Sequence, residues 1–211
     1  DEGDAYGMTL PLVTKSDGKK FGKSESGAVW LDRSKTTAYQ FYQFWINTDD
    51  ADVIRFLKYF TFLSRQEIEA LEAELQAHPE RREAQKTLAR EVTRLVHGQG
   101  AVDTAEKVTQ SLFSGDVSQL GEEELVEAMQ DMASAALEDE GDAPLVDLLV
   151  ASGLAPSKRQ ARQDIESGAV YVNGQKQSGI DTVIGRDRRL FGKYVILRRG
   201  KKHYAGVTFK G

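Results

Sequence analysis

The stretch Glu138-Asp139-Glu140-Gly141-Asp142-Ala143-Pro144 limits the folds open to this chain more than any other. Its carboxylates repel one another, its glycine is flexible and its proline cannot continue a helix. Charge also changes sign across it. Residues 144–211 carry 13 Lys and Arg against 5 Asp and Glu, a net of +8, while the remainder carries 15 against 28, a net of −13. The chain therefore reads as multidomain, with a linker at 139–143 and a basic module at 144–211. A strongly basic end on a protein of net charge −5 points to a polyanion held by that end.

Residues 33–138 read as an all-α domain. Tyr39, Tyr42 and Ile46, then Val53, Phe56, Leu57, Phe60 and Leu63, recur at helical spacing. Ser64-Arg65-Gln66-Glu67 is a capping box, and a later helix with Leu88, Val92, Leu95 and Val96 stops at His97-Gly98. Gly98-Gln99-Gly100 is a loop, followed by amphipathic helices over Ala101–Phe113 and Glu122–Met132. The aromatic set Tyr39, Phe41, Tyr42, Phe44 and Trp45 fits core packing, with base stacking an alternative for Phe41 and Phe44. Asp49, Asp50 and Asp52 suit a helix N-cap and first turn.

The basic module reads as α+β. Leu145, Leu148 and Leu149 mark a short helix ending at Gly153, and Ser157 opens a second helix with a capping box to Gln160. Ala169-Val170-Tyr171-Val172 is a strand, Asn173-Gly174 a type I′ turn, and 194–197 and 204–209 are further strands joined by a basic turn over 198–202. Lys158, Arg159 and Arg162 fall on roughly one side of the capped helix near its positive end. They serve either as a solvated face or as phosphate contacts.

Residues 1–32 hold few apolar side chains and read as the tail of a larger domain lying upstream. Within them, Lys20-Phe21-Gly22-Lys23-Ser24 sets two lysines and a hydroxyl about a glycine, chemistry that suits either a polyphosphate grip or an ordinary basic loop. A P-loop needs four residues between its glycines, and only three separate Gly18 from Gly22. Cysteine is absent, and His78, His97 and His203 form no metal-ligand pattern. With no apolar run long enough for a membrane span and no visible signal peptide, a cytoplasmic protein is expected.

Residues 18–32, Phe41-Tyr42-Gln43-Phe44-Trp45-Ile46-Asn47-Thr48 and Val92-Thr93-Arg94-Leu95-Val96-His97-Gly98 together resemble the bacterial tyrosyl-tRNA synthetases, whose signature loop takes a K-F-G-K-[ST] form. The resemblance runs over essentially the whole chain. It implies the end of a Rossmann-type class I catalytic domain at 1–32, an anticodon-binding helical domain at 33–138, and an RNA-binding module of the ribosomal S-four type at 144–211. The rest of the catalytic domain, with its H-I-G-H-type motif, tyrosine pocket and dimer surface, would lie upstream. By the same resemblance, Lys20, Lys23 and Ser24 are the catalytic groups that meet ATP, whose Mg2+ comes with the nucleotide, and no protein-bound structural metal is expected. tRNA(Tyr) would contact Asp50 at its anticodon, with Asp49 and Asp52 as alternatives. Lys158, Arg159, Arg162, Arg198, Arg199, Lys201 and Lys202 would hold its variable arm. The full enzyme would join tyrosine to tRNA as a homodimer, residues 1–211 alone being inactive. The alternative is a free-standing S-four-type RNA-binding protein.

Overall fold

Local capping signals set the helix starts of the first half. The computed structural model describes residues 6–18, 20–24, 27–130, 132–138, 141–200 and 203–210, with the backbone alone for Lys23, Ser24 and Gly27. The chain divides into two units, residues 1–99 and 100–211. In the first, α1 (Ala38–Ile46) begins at Thr37, whose hydroxyl accepts from the Gln40 N–H while the Gln40 side chain accepts from the Thr37 N–H. A second reciprocal box, Ser64 with Glu67, opens α3 (Arg65–Ala77) as the sequence predicts. Between them lies α2 (Asp50–Phe60), and α4 (Glu83–His97) ends at Gly98 with φ 85°. Both α1 and α2 pack on α4, burying Phe41, Trp45, Val53, Phe56, Leu57, Leu88 and Val92. Phe41 is thus core and unavailable for stacking on a base, while Leu95 is 60% exposed. Ahead of α1, strands β1 (Lys23–Ser24) and β2 (Gly27–Ala28) form a short antiparallel hairpin.

The second unit starts with α5 (Gln99–Ser114) and α6 (Glu122–Met129). Gln99 and Gly100 are helical, so the expected loop over 98–100 shrinks to Gly98, whose positive φ alone suffices to end one helix. The expectation of an all-helical stretch to residue 138 is corrected by β3 (Ala133–Glu138). This segment lacks the β-branched residues that announce a strand. It is extended because it pairs, parallel and over six residues, with the edge of the last strand.

Beyond it lie β4 (Ala143–Pro144), α7 (Leu145–Ala151), α8 (Lys158–Glu166), β5 (Val170–Val172), β6 (Gln175–Gln177), β7 (Val183–Ile184), β8 (Tyr194–Arg199) and β9 (His203–Lys210). The five-stranded sheet has the order β3-β9-β8-β5-β6, antiparallel except at β3. Leu145, Leu148, Leu149 and Ile165 from the helices pack on Val170, Val172, Val195, Leu197, Val207 and Phe209 from the sheet. Asn173 and Gly174 at the β5–β6 turn have φ 47° and 84°, as a type I′ turn requires. Gly174 is doubly constrained, because a Cβ there would lie 1.4 Å from the Gly115 carbonyl oxygen. Arg198 and Arg199 belong to β8 and not to a turn, since the ladder to β9 runs as far as the Arg199–His203 pair.

Candidate nucleic-acid interface and signature loop

The loop that carries Lys20 is held from its base. Thr14 and Lys20 form an antiparallel bridge, and the Phe21 N–H donates to the Val13 carbonyl at 3.0 Å. Gly22 takes φ 84°, a conformation that glycine adopts without a Cβ penalty. Phe21 points back into the helices, with ring centroids 4.7 Å from Phe56, 5.1 Å from Phe60, 5.4 Å from Trp45 and 5.7 Å from Phe44. These separations suit favourable aromatic pairs. Phe21 is therefore an anchor set between the two lysines, and it leaves Lys20 exposed. Lys23 and Ser24 form β1, and their side chains lie outside the described residues.

A polar tie supplements the aromatic one. Asp52 is 1% exposed, and its Oδ2 accepts from the Ser16 N–H at 3.0 Å and the Ser16 hydroxyl at 3.1 Å. Its Oδ1 accepts from the Arg55 guanidinium at 2.5 Å, and Arg55 also donates to the Thr14 carbonyl at 2.5 Å. A buried carboxylate so engaged serves structure, which removes Asp52 from the anticodon candidates. Asp49 is the N-cap residue of α2 but makes no side-chain cap bond. Asp50 is exposed at the first helical position, and its Oδ1 accepts from Nε2 of the buried Gln85 at 2.5 Å. One neutral donor orients this carboxylate and leaves acceptor capacity for a ligand.

Downstream of Trp30, whose N–H donates to the Thr36 hydroxyl at 3.0 Å, Asp32 organises the approach to α1. The Ser34 backbone N–H and hydroxyl, both at 2.9 Å, hold the Asp32 carboxyl below its ordinary range.

In the basic module, Ser157 accepts from the Gln160 N–H and starts α8, but the Gln160 side chain bonds Asp164 at 2.9 Å. Only half of the expected capping box forms, because the Gln160 side chain turns to donate to Asp164 one turn ahead instead of bringing its oxygen back to the Ser157 N–H. Arg159 and Arg162 are exposed and share a face. Lys158 lies 2.7 Å from Asp147, an exposed pair of the kind that contributes little and can be exchanged for a phosphate. On β8, the Arg198 guanidinium lies 3.9 Å above the Tyr171 ring, and Arg199 is 3.4 Å from Asp164. Lys201 and Lys202 lie outside the described residues. Formal charge overstates the basic surface at one point: Arg189 is 6% exposed, stacks 3.6 Å over Phe209 and donates to the Gly141 carbonyl. It staples the acidic linker to the sheet.

The anchoring role of Phe21 and the tie through Ser16, Asp52 and Arg55 escape a sequence reading. A hydrophobe placed between two loop lysines is the signal for the first. Nothing local signals the second, whose partners are 36 to 41 residues apart. Among the described residues no group of three or more acidic or His side chains is disposed to hold a metal ion, and no helix is long and apolar enough to cross a membrane.

Residues 2–114 match the family model described as tRNA synthetases class I (W and Y), and residues 124–207 match that of the Tyrosine--tRNA ligase SYY-like C-terminal domain. The chain is 57% identical over 208 residues to a tyrosine–tRNA ligase of Geobacillus stearothermophilus, covering 99% of this chain and 49% of the relative. To tyrosine–tRNA ligase 1 of Bacillus subtilis (strain 168) it is 52% identical over 206 residues, covering 98% and 49%. A solution structure of a tyrosyl-tRNA synthetase C-terminal domain is 43% identical, covering 46% of this chain and 98% of that one, with a TM-score of 0.39. The chain thus spans about half the length of the curated relatives it matches.

Proposed function

Since the chain belongs to the class I tRNA synthetases of the tryptophan and tyrosine family, we propose that it is the C-terminal half of a cytoplasmic tyrosine–tRNA ligase. On this reading it binds tRNA(Tyr) and supplies the loop that stabilises charge during tyrosine activation. A Rossmann-type domain upstream would provide the tyrosine pocket, the H-I-G-H-type motif and the homodimer surface.

The reaction has two steps. The tyrosine carboxylate attacks the α-phosphate of Mg-ATP and releases pyrophosphate; the adenylate then acylates the terminal ribose of tRNA. Negative charge gathers on the leaving pyrophosphate, and cations already positioned there lower the barrier. Lys20, Lys23 and Ser24 take this role. Lys20 suits it by exposure beside the Phe21 anchor, and Gly22 gives the backbone the freedom to bring the loop against a phosphate chain.

The same helix serves both ends of the task. Asp50 opens α2, while Asp52 and Arg55 of that helix hold the base of the loop. This shared helix is the observation that carries the proposal. The Asp50 carboxylate reads the first anticodon base, accepting from the guanine ring and amino N–H groups that adenine does not offer in the same arrangement. Lys158, Arg159, Arg162, Arg198, Arg199, Lys201 and Lys202 meet phosphates of the variable arm, which positions the tRNA without reading its sequence. A free-standing RNA-binding protein has no use for the anchored lysine loop.

Fluorescence anisotropy tests this. The chain is expected to bind bacterial tRNA(Tyr) with affinity that falls steeply with salt, and trimming the variable arm should weaken binding. Changing Arg159 and Arg162 to Ala should flatten the salt slope by about two. Equal binding to the trimmed and intact tRNA, and to an unrelated one, would overturn the assignment to tRNA(Tyr).

A further inference from the structure

At the end of α5, Phe113 is 86% exposed, although its neighbours Val102, Ala105, Val108 and Leu112 are buried along the same helix. A single exposed aromatic is ordinary. Its setting is not. Phe113 borders a cavity of about 430 Å3 together with Gly168, Ala169, Tyr171, Arg198 and Gly200. The Arg198 guanidinium lies 3.9 Å over the Tyr171 ring, and its Nε is buried with no hydrogen-bond partner among the described residues.

The wall is also fixed in place. The Tyr204 hydroxyl donates to the Leu112 carbonyl at 2.6 Å, and Gly115 rests against the Gly174 backbone. Phe113 is therefore held beside the cavity by a hydrogen bond on one side of it in sequence and a backbone contact on the other. Among the described residues no ring packs on Phe113.

We propose that this cavity takes one unstacked nucleobase from a bound RNA, with the base on the Phe113 ring and its acceptor edge on the Arg198 guanidinium. The proposal rests on the reading of this module as RNA-binding and adds Phe113 to it. A flat apolar face beside a fork of donors matches what a base offers, a π surface and ring or carbonyl acceptors at its edge. A bare phosphate would leave Phe113 without a role, and the Arg198 guanidinium, 3.9 Å over the Tyr171 ring, sets donors at the wall of the same cavity.

The test is anisotropy of the 211-residue chain with a tRNA(Tyr) transcript over a salt series, for the parent, Phe113→Ala and Phe113→Trp. Phe113→Ala should bind about tenfold more weakly with an unchanged salt slope, because stacking and not a phosphate contact is lost. Phe113→Trp should restore the parental affinity, and the circular dichroism of both variants should match the parent. Affinity of Phe113→Ala within twofold of the parent would overturn the nucleobase site, as would equal losses in the Ala and Trp variants. A shift in oligomeric state without loss of RNA affinity would also overturn it, marking the face as one that meets protein. Absence of RNA binding by the parent itself at low salt would overturn the RNA-binding reading and this proposal together.

Discussion

Asp50 and Asp52 stand two positions apart, have the same side chain and do opposite work. Asp52 is buried against Ser16 and Arg55, and Asp50 is exposed and oriented by Gln85. Replacing Asp52 by Asn removes the charge that Arg55 faces and leaves the Ser16 donors a weaker partner. Arg55 is 38% exposed, so water recovers part of its loss, and a cost of about 2 kcal/mol is expected. In urea unfolding of this chain, Asp52→Asn should lower the midpoint, while Asp50→Asn should stay within about 0.5 kcal/mol of the parent. In tRNA binding the order should reverse, Asp50→Asn losing affinity. Equal stability of the two variants would show that the Asp52 tie contributes nothing to the fold.

Elements with local signals were legible, and those made by distant partners were not. The Ser64 capping box and the Gly98 stop form as the sequence predicts because the bonds involved span three or four residues. By contrast β3 is a strand only because β9 lies beside it, and the reciprocal half of the α8 box is absent because the Gln160 side chain turns to donate to Asp164. The site divides the same way. Arg159 and Arg162 could be placed on one helix face from spacing alone, whereas the Arg198–Tyr171 stack needs the strand register that sets residues 198 and 171 opposite each other. At the start of α6, Glu124 accepts from Lys107 at 2.7 Å and from the Gly121 N–H at 2.8 Å. The Lys107 hydrogen bond is the main reason its carboxyl sits below the ordinary value of 4.5. A depressed folded value means that the stabilisation is present above the unfolded value and disappears as pH falls through the folded one. Glu124→Gln should therefore melt below the parent at pH 7, and the gap should close as pH drops from 4.5 toward the acid limit. A gap that persisted unchanged in acid would mean that the carboxylate charge is not what holds α6.

At the scale of the whole molecule, the acidic break marks a change of composition but not the edge of the sheet. The basic module draws on residues ahead of it: β3 covers one side of β9, and Met129 of α6 packs against Gly206 so closely that a Cβ there would lie 2.6 Å from the Met129 methyl. A fragment beginning at residue 144 would keep β5, β6, β8 and β9 yet leave β9 as an open edge. Unpaired edges cost the hydrogen bonds of the missing ladder, about 1 kcal/mol each, and invite association with other chains. A fragment beginning at residue 121 retains α6 and β3. Thermal unfolding should show a cooperative transition for 121–211, and a lower transition or concentration-dependent aggregation for 144–211. The same pair separates folding from charge, because the basic residues counted over 144–211 are common to both. If 144–211 bound tRNA as tightly as 121–211 and melted at the same temperature, β3 would be an ornament of the sheet; weaker binding with an unchanged salt slope would instead tie RNA recognition to the order that β3 gives β9.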